Sequence, residues 1–362
     1  MKIVAVTCYS NPDYIRARTL RAGLKADKRV RLIVVKNEHK SILRYPEIIW
    51  KLLRLRYTQN PDAYLLTFRG QEILPFVLWL AGRRPVVFDE FIVPIALARS
   101  ELSGRSLVTV FKHFLAYVST PFYSYWLRRC KYVLADTPAH ADFSARTSNI
   151  NLRQYRYVPI GADEKLFYPS TMSKTELTSL PFQVFFYAKS WAISDLQLVL
   201  SAAEQLKNKQ EISFLIAGGG NLAANAVQVA QEKGSHLIYR AKIPVDELPS
   251  AIRQSALALA GPFSTTTLAQ HIVTDKSYQF LACAVASVVG QNEATMAVFT
   301  DKDNVLMVPL GDDKALARTI NWAASNRDTL VDIGRNGRHL YEKSLSQARI
   351  NDQLSKLVDN LS

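Results

Sequence analysis

The chain has 362 residues, 48% hydrophobic and 21% charged, a balance that suits about two folded domains and excludes disorder over most of its length. Its net charge of +14 sits in the first half, with 27 Lys and Arg against 13 Asp and Glu in residues 1–165 and 18 of each thereafter. Three scattered cysteines, Cys8, Cys130 and Cys283, argue for a reducing compartment and against a disulfide framework or a metal site.

Residues 2–7 (KIVAVT) predict a first strand; one lysine and a short apolar run do not make a signal peptide. A polar turn at Tyr9-Ser10-Asn11-Pro12, a helix over 14–24 and a strand over 30–35 give the β-α-β opening of a parallel doubly wound sheet. Residues 45–57 (YPEIIWKLLRLRY) predict an amphipathic helix with Lys51, Arg54 and Arg56 among Trp50 and leucines. A strand over 62–67, a helix over 72–80 and a strand over 85–88 follow, the last ending at Asp89-Glu90. Residues 106–127 are the most hydrophobic long segment, but Lys112, His113 and Pro121 argue against a membrane span. They read as two packed helices broken before Pro121. Arg128 and Arg129 come next, then a strand over 132–135 and a turn and helix cap at 136–140, with His113 and His140 read as structural.

Residues 155–169 lose any period after Ile160, and the charge balance changes there. This places a basic N-terminal domain at 1–169, a second domain at 170–337, and a C-terminal helix at 338–362 that packs back toward the first. In the second half, strands are expected over 183–187, 213–217, 237–239, 256–260, 285–289 and 305–309, alternating with helices over 196–206, 223–233, 244–254 and 314–324. No internal repeat interrupts this rhythm. The fold class is therefore α/β, with two Rossmann-like doubly wound parallel-sheet domains facing a central cleft. Ligands of such sheets sit beyond the carboxyl ends of the strands.

The stretch 271–290, HIVTDKSYQFLACAVASVVG, carries the most chemistry. Thr274-Asp275 is an N-cap signal. Lys276 and Gln279 are three apart and share a face in the first helical turn, where unpaired N–H groups and the helix dipole favour an anion. That suits a phosphate and a sugar hydroxyl; an ordinary amphipathic helix with two exposed polar residues fits the same pattern.

Taken in order, YVPIGADEKLFYP, VFFYAKSWAISDLQLVLSAAEQL, FLIAGGG, HIVTDKSYQFLACAVASVVG and NVLMVPLGDDKALARTI resemble the successive C-terminal-domain motifs of GT-B fold glycosyltransferases, family 4. VFDEF and LADTPAHADF resemble N-domain segments of one bacterial and archaeal branch. The resemblance implies transfer of a sugar from a nucleotide diphosphate sugar, with retained configuration, no cofactor and no bound metal. It makes Lys189 the family's basic residue after the first C-domain strand and puts Lys276 in the donor helix. Gly218 and Gly219 then bring backbone close to the nucleotide, and Gln279 meets a ribose hydroxyl. The family's two glutamates, eight positions apart, correspond to His271 and Gln279, and its second lysine to Ser194. Asp89 or Glu90 would orient or deprotonate the acceptor hydroxyl.

The basic first half points to an anionic partner. No DNA- or RNA-binding motif is present, so nucleic acid is set aside. The expected setting is the cytoplasmic face of the inner membrane, with Lys51, Arg54, Arg56, Arg128 and Arg129 on lipid and a lipid-linked or glycan acceptor. The rival reading is a catalytically silent relative that binds a nucleotide sugar or scaffolds a partner enzyme.

Overall fold

The computed structural model describes residues 1–93, 120–188 and 196–361. Contacts divide the chain into two units, Met1–Gly161 with Leu345–Ser362, and Ala162–Ser344. The strands are β1 (Lys2–Thr7), β2 (Arg31–Lys36), β3 (Ala63–Leu66), β4 (Val86–Asp89), β5 (Tyr132–Ala135), β6 (Tyr155–Tyr157), β7 (Phe182–Ala188), β8 (Ile212–Gly218), β9 (Leu237–Arg240), β10 (Leu257–Leu259), β11 (Ser287–Gln291) and β12 (Leu306–Pro309).

The first unit holds one six-stranded sheet in the order β2-β1-β3-β4-β5-β6, parallel at every pairing. β3 and β4 are buried along their whole length, as befits strands covered on both faces, whereas β2 is an edge with half of its residues exposed and one buried. On one face Ile3, Leu65, Val87 and Leu134 pack with Leu20 and Leu24 of the helix Ile15–Ala26 and with Ile350, Leu354 and Leu357 of the helix Gln347–Asp359. These two helices cross closely, because a Cβ on Gly23 would lie 2.6 Å from Leu354 Cδ1. On the other face the helices Arg44–Gln59, Leu74–Ala81 and Pro138–Ser148 bury Ile48, Leu52, Leu74, Val77, Ala141 and Ala145.

The second unit holds a six-stranded parallel sheet in the order β12-β11-β10-β7-β8-β9. One face packs against the helices Leu196–Gln205, Gly220–Glu232 and Asp313–Ser325. From the other face of β7, Phe185 meets Phe280 of the helix Asp275–Ala282, with ring centroids 6.2 Å apart. The expected fold class of two doubly wound parallel-sheet units is thus the observed one.

Some expectations are corrected. β6 was not foreseen, nor the short helices Lys174–Ser179 and Glu293–Val298, although both helices open on capping boxes, Ser173 with Glu176 and Asn292 with Thr295. The single helix expected over 338–362 is interrupted. The helix Arg327–Leu340 runs into a wide turn, Tyr341–Leu345, before the helix Gln347–Asp359 begins. The reason lies in Tyr341, which is fully buried; its hydroxyl accepts from the Ala162 N–H at 3.1 Å and donates to Glu164 at 3.0 Å. Extended backbone at Ser346 then starts the next helix afresh. Of the segment expected as two helices about Pro121, residues 120–128 are helical and the rest, with His113, lies outside the described residues.

Candidate functional site

In the second unit the chain builds β7, β8 and β9 outward, then returns to the other side of β7 for β10, β11 and β12. The topological switch point therefore lies between β7 and β10, and the space beyond their carboxyl ends is where such sheets receive ligands. Three elements meet this end: the glycines after β8, the loop after β10, and the amino end of the helix Asp275–Ala282.

Gly218, Gly219 and Gly220 have φ of 84°, 80° and 66°, a run of left-handed conformations that side chains with a Cβ resist. The Tyr239 hydroxyl donates to the carbonyls of Gly218 and Gly220, 3.1 Å from each, and fixes the turn. Gly219 occupies the cap position of the helix Gly220–Glu232, so no side chain covers that helix start.

Thr274 stands at the cap position of the helix Asp275–Ala282 but does not cap it. Its hydroxyl donates to the Ala260 carbonyl at 3.0 Å and ties the helix start to the end of β10. Lys276 is 5% exposed, and its ammonium donates to the Tyr187 carbonyl at 3.3 Å and lies 5.0 Å from the centre of the Phe186 ring. The Tyr187 hydroxyl donates to Gln279 Oε1, and burial pushes that phenol well above its ordinary range, so it stays a donor. Lys276 and Gln279 thus grip Tyr187, the penultimate residue of β7, from one helix face. This is not the arrangement of two exposed polar residues on an amphipathic helix.

The loop after β10 is held by β11. A Cβ on Gly290 would lie 1.8 Å from the Pro262 carbonyl oxygen. The Asn292 amide donates to the carbonyls of Ala269 at 2.8 Å and Ile272 at 3.1 Å. His271 belongs to this loop, and its Nδ1 is 3.6 Å from Glu293 Oε2. Where the family resemblance put an imidazole in place of a carboxylate, a carboxylate from the helix Glu293–Val298 stands beside it. Lys189 and Ser194 lie outside the described residues.

In the first unit, the carboxyl ends of β4 and β5 bury Asp89, Glu90, Asp136 and His140 together. Asp89 is neither a helix cap nor a surface group. Arg16, also fully buried, donates to Asp89 Oδ1 from Nε at 3.0 Å and from Nη2 at 2.8 Å, and the Phe68 N–H lies 3.3 Å from Oδ2. Glu90 Oε1 accepts from the Tyr123 hydroxyl at 2.6 Å, and its Oε2 is 3.9 Å from His140 Nε2. The other ring nitrogen of His140 meets Asp136 Oδ1 at 2.6 Å. Burial pushes the Glu90 carboxyl up. Burial alone would lower His140, but the Asp136 carboxylate outweighs it and holds the imidazole above its ordinary value.

Of the expected lipid-facing cations, Lys51 is half-buried and already paired. It donates to Glu47 at 2.6 Å, to Glu38 at 3.0 Å and to the Lys36 carbonyl at 3.1 Å. Burial would raise the Glu47 carboxyl, but the bonds from Lys51, His39 and Glu38 bring it down to about 2. Arg54 is exposed, 5.6 Å from the centre of the Trp50 ring, and Arg56 donates to Asn60. Arg128 and Arg129 are exposed; Arg128 donates to the Asn149 carbonyl and Arg129 to the Tyr125 hydroxyl at 2.8 Å. Among the described residues, no three or more His, Cys, Asp or Glu side chains are grouped to hold a metal ion, and no helix is long and apolar enough to cross a membrane.

Comparison with known proteins gives a consistent picture of the fold. Residues 199–356 match the family model described as glycosyl transferase-like. A search of curated proteins by sequence gives no match. Among solved structures, Anabaena HepE in complex with UDP-glucose aligns over 99% of this chain and 100% of its own, with 12% identity and a TM-score of 0.75. The sucrose-phosphate synthase of Thermosynechococcus elongatus aligns over 100% and 99%, with 13% identity and a TM-score of 0.77. A glycosyltransferase of Rickettsia africae aligns over 99% and 98%, with 11% identity and a TM-score of 0.71. The chain has a GT-B type fold, and its residues 199–356 are similar to the glycosyl transferase-like family.

Proposed function

We propose that the chain is a family 4 type glycosyltransferase. It would move a sugar from a nucleotide diphosphate sugar to a lipid-linked or surface-glycan acceptor at the cytoplasmic membrane face, with retention and without a bound metal. The observation that carries this reading is the grip of Lys276 and Gln279 on Tyr187 at the β7/β10 switch point. An ammonium fixed there can meet the leaving diphosphate, joined by Lys189 and by backbone N–H groups of Gly218 and Gly219, where preorganised positive charge lowers the barrier most. Gln279 would meet the ribose, and His271 with Glu293 the hydroxyls of the donor sugar. In this proposal the first unit receives the acceptor. Glu90, its carboxyl raised by burial, orients the acceptor hydroxyl, while Asp89, held by Arg16, positions the strand end.

The test is calorimetry with UDP and turnover of UDP-glucose, the nucleotide sugar present in the HepE complex. Lys276→Ala is expected to weaken UDP by about 1–3 kcal/mol, the worth of a charge-assisted bond. Glu90→Gln is expected to lower turnover and leave UDP affinity intact. Unchanged UDP affinity in Lys276→Ala would remove that residue from the site. UDP binding without turnover of any donor would favour the silent reading, for which the His271 and Gln279 replacements speak.

The membrane part of the proposal rests on the helix Arg44–Gln59. Trp50 is 59% and Tyr57 85% exposed on its outer stripe, and Leu43, just before it, is 55% exposed. An outer stripe that is aromatic and cationic suits the headgroup layer, where each cation is worth about 1 kcal/mol and less at high salt. Binding to anionic but not zwitterionic vesicles is expected, weakened by Arg54→Glu with Arg56→Glu. Sedimentation with equal amounts on both vesicle types, or none on either, would sink it.

A further inference from the structure

At the other end of the second unit's sheet, before the amino ends of β10 and β11, lies a cavity of about 160 Å³. Ser255 and Ala256 lead into β10, and Ala284, Val285 and Ala286 lead into β11, so this space is separate from the carboxyl-end site. Three arginines are among its lining residues, Arg253, Arg327 and Arg335, and no Asp or Glu is. The second half of the chain has as many acidic as basic residues, so three cations on one small cavity are a local concentration.

Two of these arginines are fixed by neutral groups. Arg253 lies 4.4 Å from the centre of the Tyr168 ring and donates to the Tyr168 carbonyl at 3.4 Å. Arg327 lies 5.1 Å from the centre of the Phe182 ring and donates to the carbonyls of Leu177 at 3.2 Å and Leu180 at 2.9 Å. Carbonyls and rings orient a guanidinium without cancelling its charge. The Arg335 side chain makes no hydrogen bond or ion pair among the described residues. Asp332, one turn away on the same helix, is paired with Lys174 at 2.7 Å. Leu177, Leu180, Leu330 and Val331 complete a largely apolar wall.

Size, wall and charge together define a ligand. A cavity of roughly 150 Å³ takes a benzene ring. An acid group on such a ring would meet guanidinium forks that bind carboxylates in a bidentate manner. We propose that this cavity binds a small organic anion, an apolar body about the size of one ring bearing a single carboxylate.

The full chain would be titrated with benzoate, with neutral benzamide and with inorganic phosphate, read by calorimetry and by saturation-transfer NMR. Benzoate is expected to bind at least about tenfold more tightly than benzamide, as a charge-assisted pair requires. Arg335→Gln, at an exposed position, is expected to weaken benzoate by about tenfold with the thermal unfolding temperature unchanged. Ala256→Leu is expected to block the cavity and abolish binding. Saturating UDP is expected to leave benzoate bound, whether or not the chain transfers sugars. The proposal is overturned by no benzoate binding, by equal affinity for benzamide, by phosphate binding in the absence of benzoate binding, by an unaffected Arg335→Gln variant, or by displacement of benzoate with UDP.

Discussion

Arg16→Met is expected to cost the first unit about 3–5 kcal/mol, the range for breaking a buried ion pair from one side. Neither partner is reached by solvent. The same guanidinium donates to the carbonyls of Val158 at 2.5 Å and Pro159 at 2.8 Å, so its removal strands two backbone acceptors as well as the Asp89 carboxylate. Burial already pushes Asp89 up and Arg16 pulls it down; without the arginine the carboxyl must take a proton or stay charged in the core. Urea denaturation reads the loss as a lowered midpoint. The double variant Arg16→Met with Asp89→Leu is expected to recover part of it, because the stranded charge goes with the partner. A midpoint unmoved by the single change would show that the pair does not hold the strand ends.

The second large effect is expected for Gly290→Ala. The added methyl would sit 1.8 Å from the Pro262 carbonyl oxygen and 2.5 Å from Leu310 Cδ2. Leu310 can turn away, but Pro262 is backbone, so the loop carrying His271 must move. Overpacking costs about 1–3 kcal/mol where side chains yield, and this site is expected at or above the upper end. Because the loop flanks the switch point, UDP affinity should fall further than in Lys276→Ala. Thermal unfolding and calorimetry on one preparation read both effects; a variant with the parent's unfolding temperature and affinity would refute the claimed role of the close approach.

Much of this architecture was legible in the sequence because parallel strands announce themselves as apolar runs. KIVAVT, VVF and FLIAG could hardly be anything else between helical periods. β6 was not legible: Tyr155–Tyr157 is three residues with an arginine in the middle, and it becomes a strand only through its pairing with β5. The helix Arg327–Leu340 was masked by Gly334 and Gly337, which count against a helix locally. Both face backbone at distances no Cβ could share, 2.4 Å to the Ala284 oxygen and 2.9 Å to the Asn304 oxygen. At the candidate site, the spacing of Lys276 and Gln279 gave their shared face. What they grip, Tyr187, comes from a strand far away in sequence, as does the Glu293 carboxylate beside His271. Arg16 looked like any cation on a first helix, since nothing in a local pattern tells a buried guanidinium from a solvated one.

The first unit is not continuous along the chain. Its helix Ile15–Ala26 presents Leu20, Gly23 and Leu24 to a helix that begins at Gln347. A ribosome making this protein therefore releases the first sheet with one flank covered only by the helix Ile15–Ala26, then makes the whole of Ala162–Ser344 before the rest of the cover appears. The later unit, continuous in sequence, has everything it needs first. The earlier one is completed only when residues 345–362 emerge, so the unit that begins first is the one whose last part is made last.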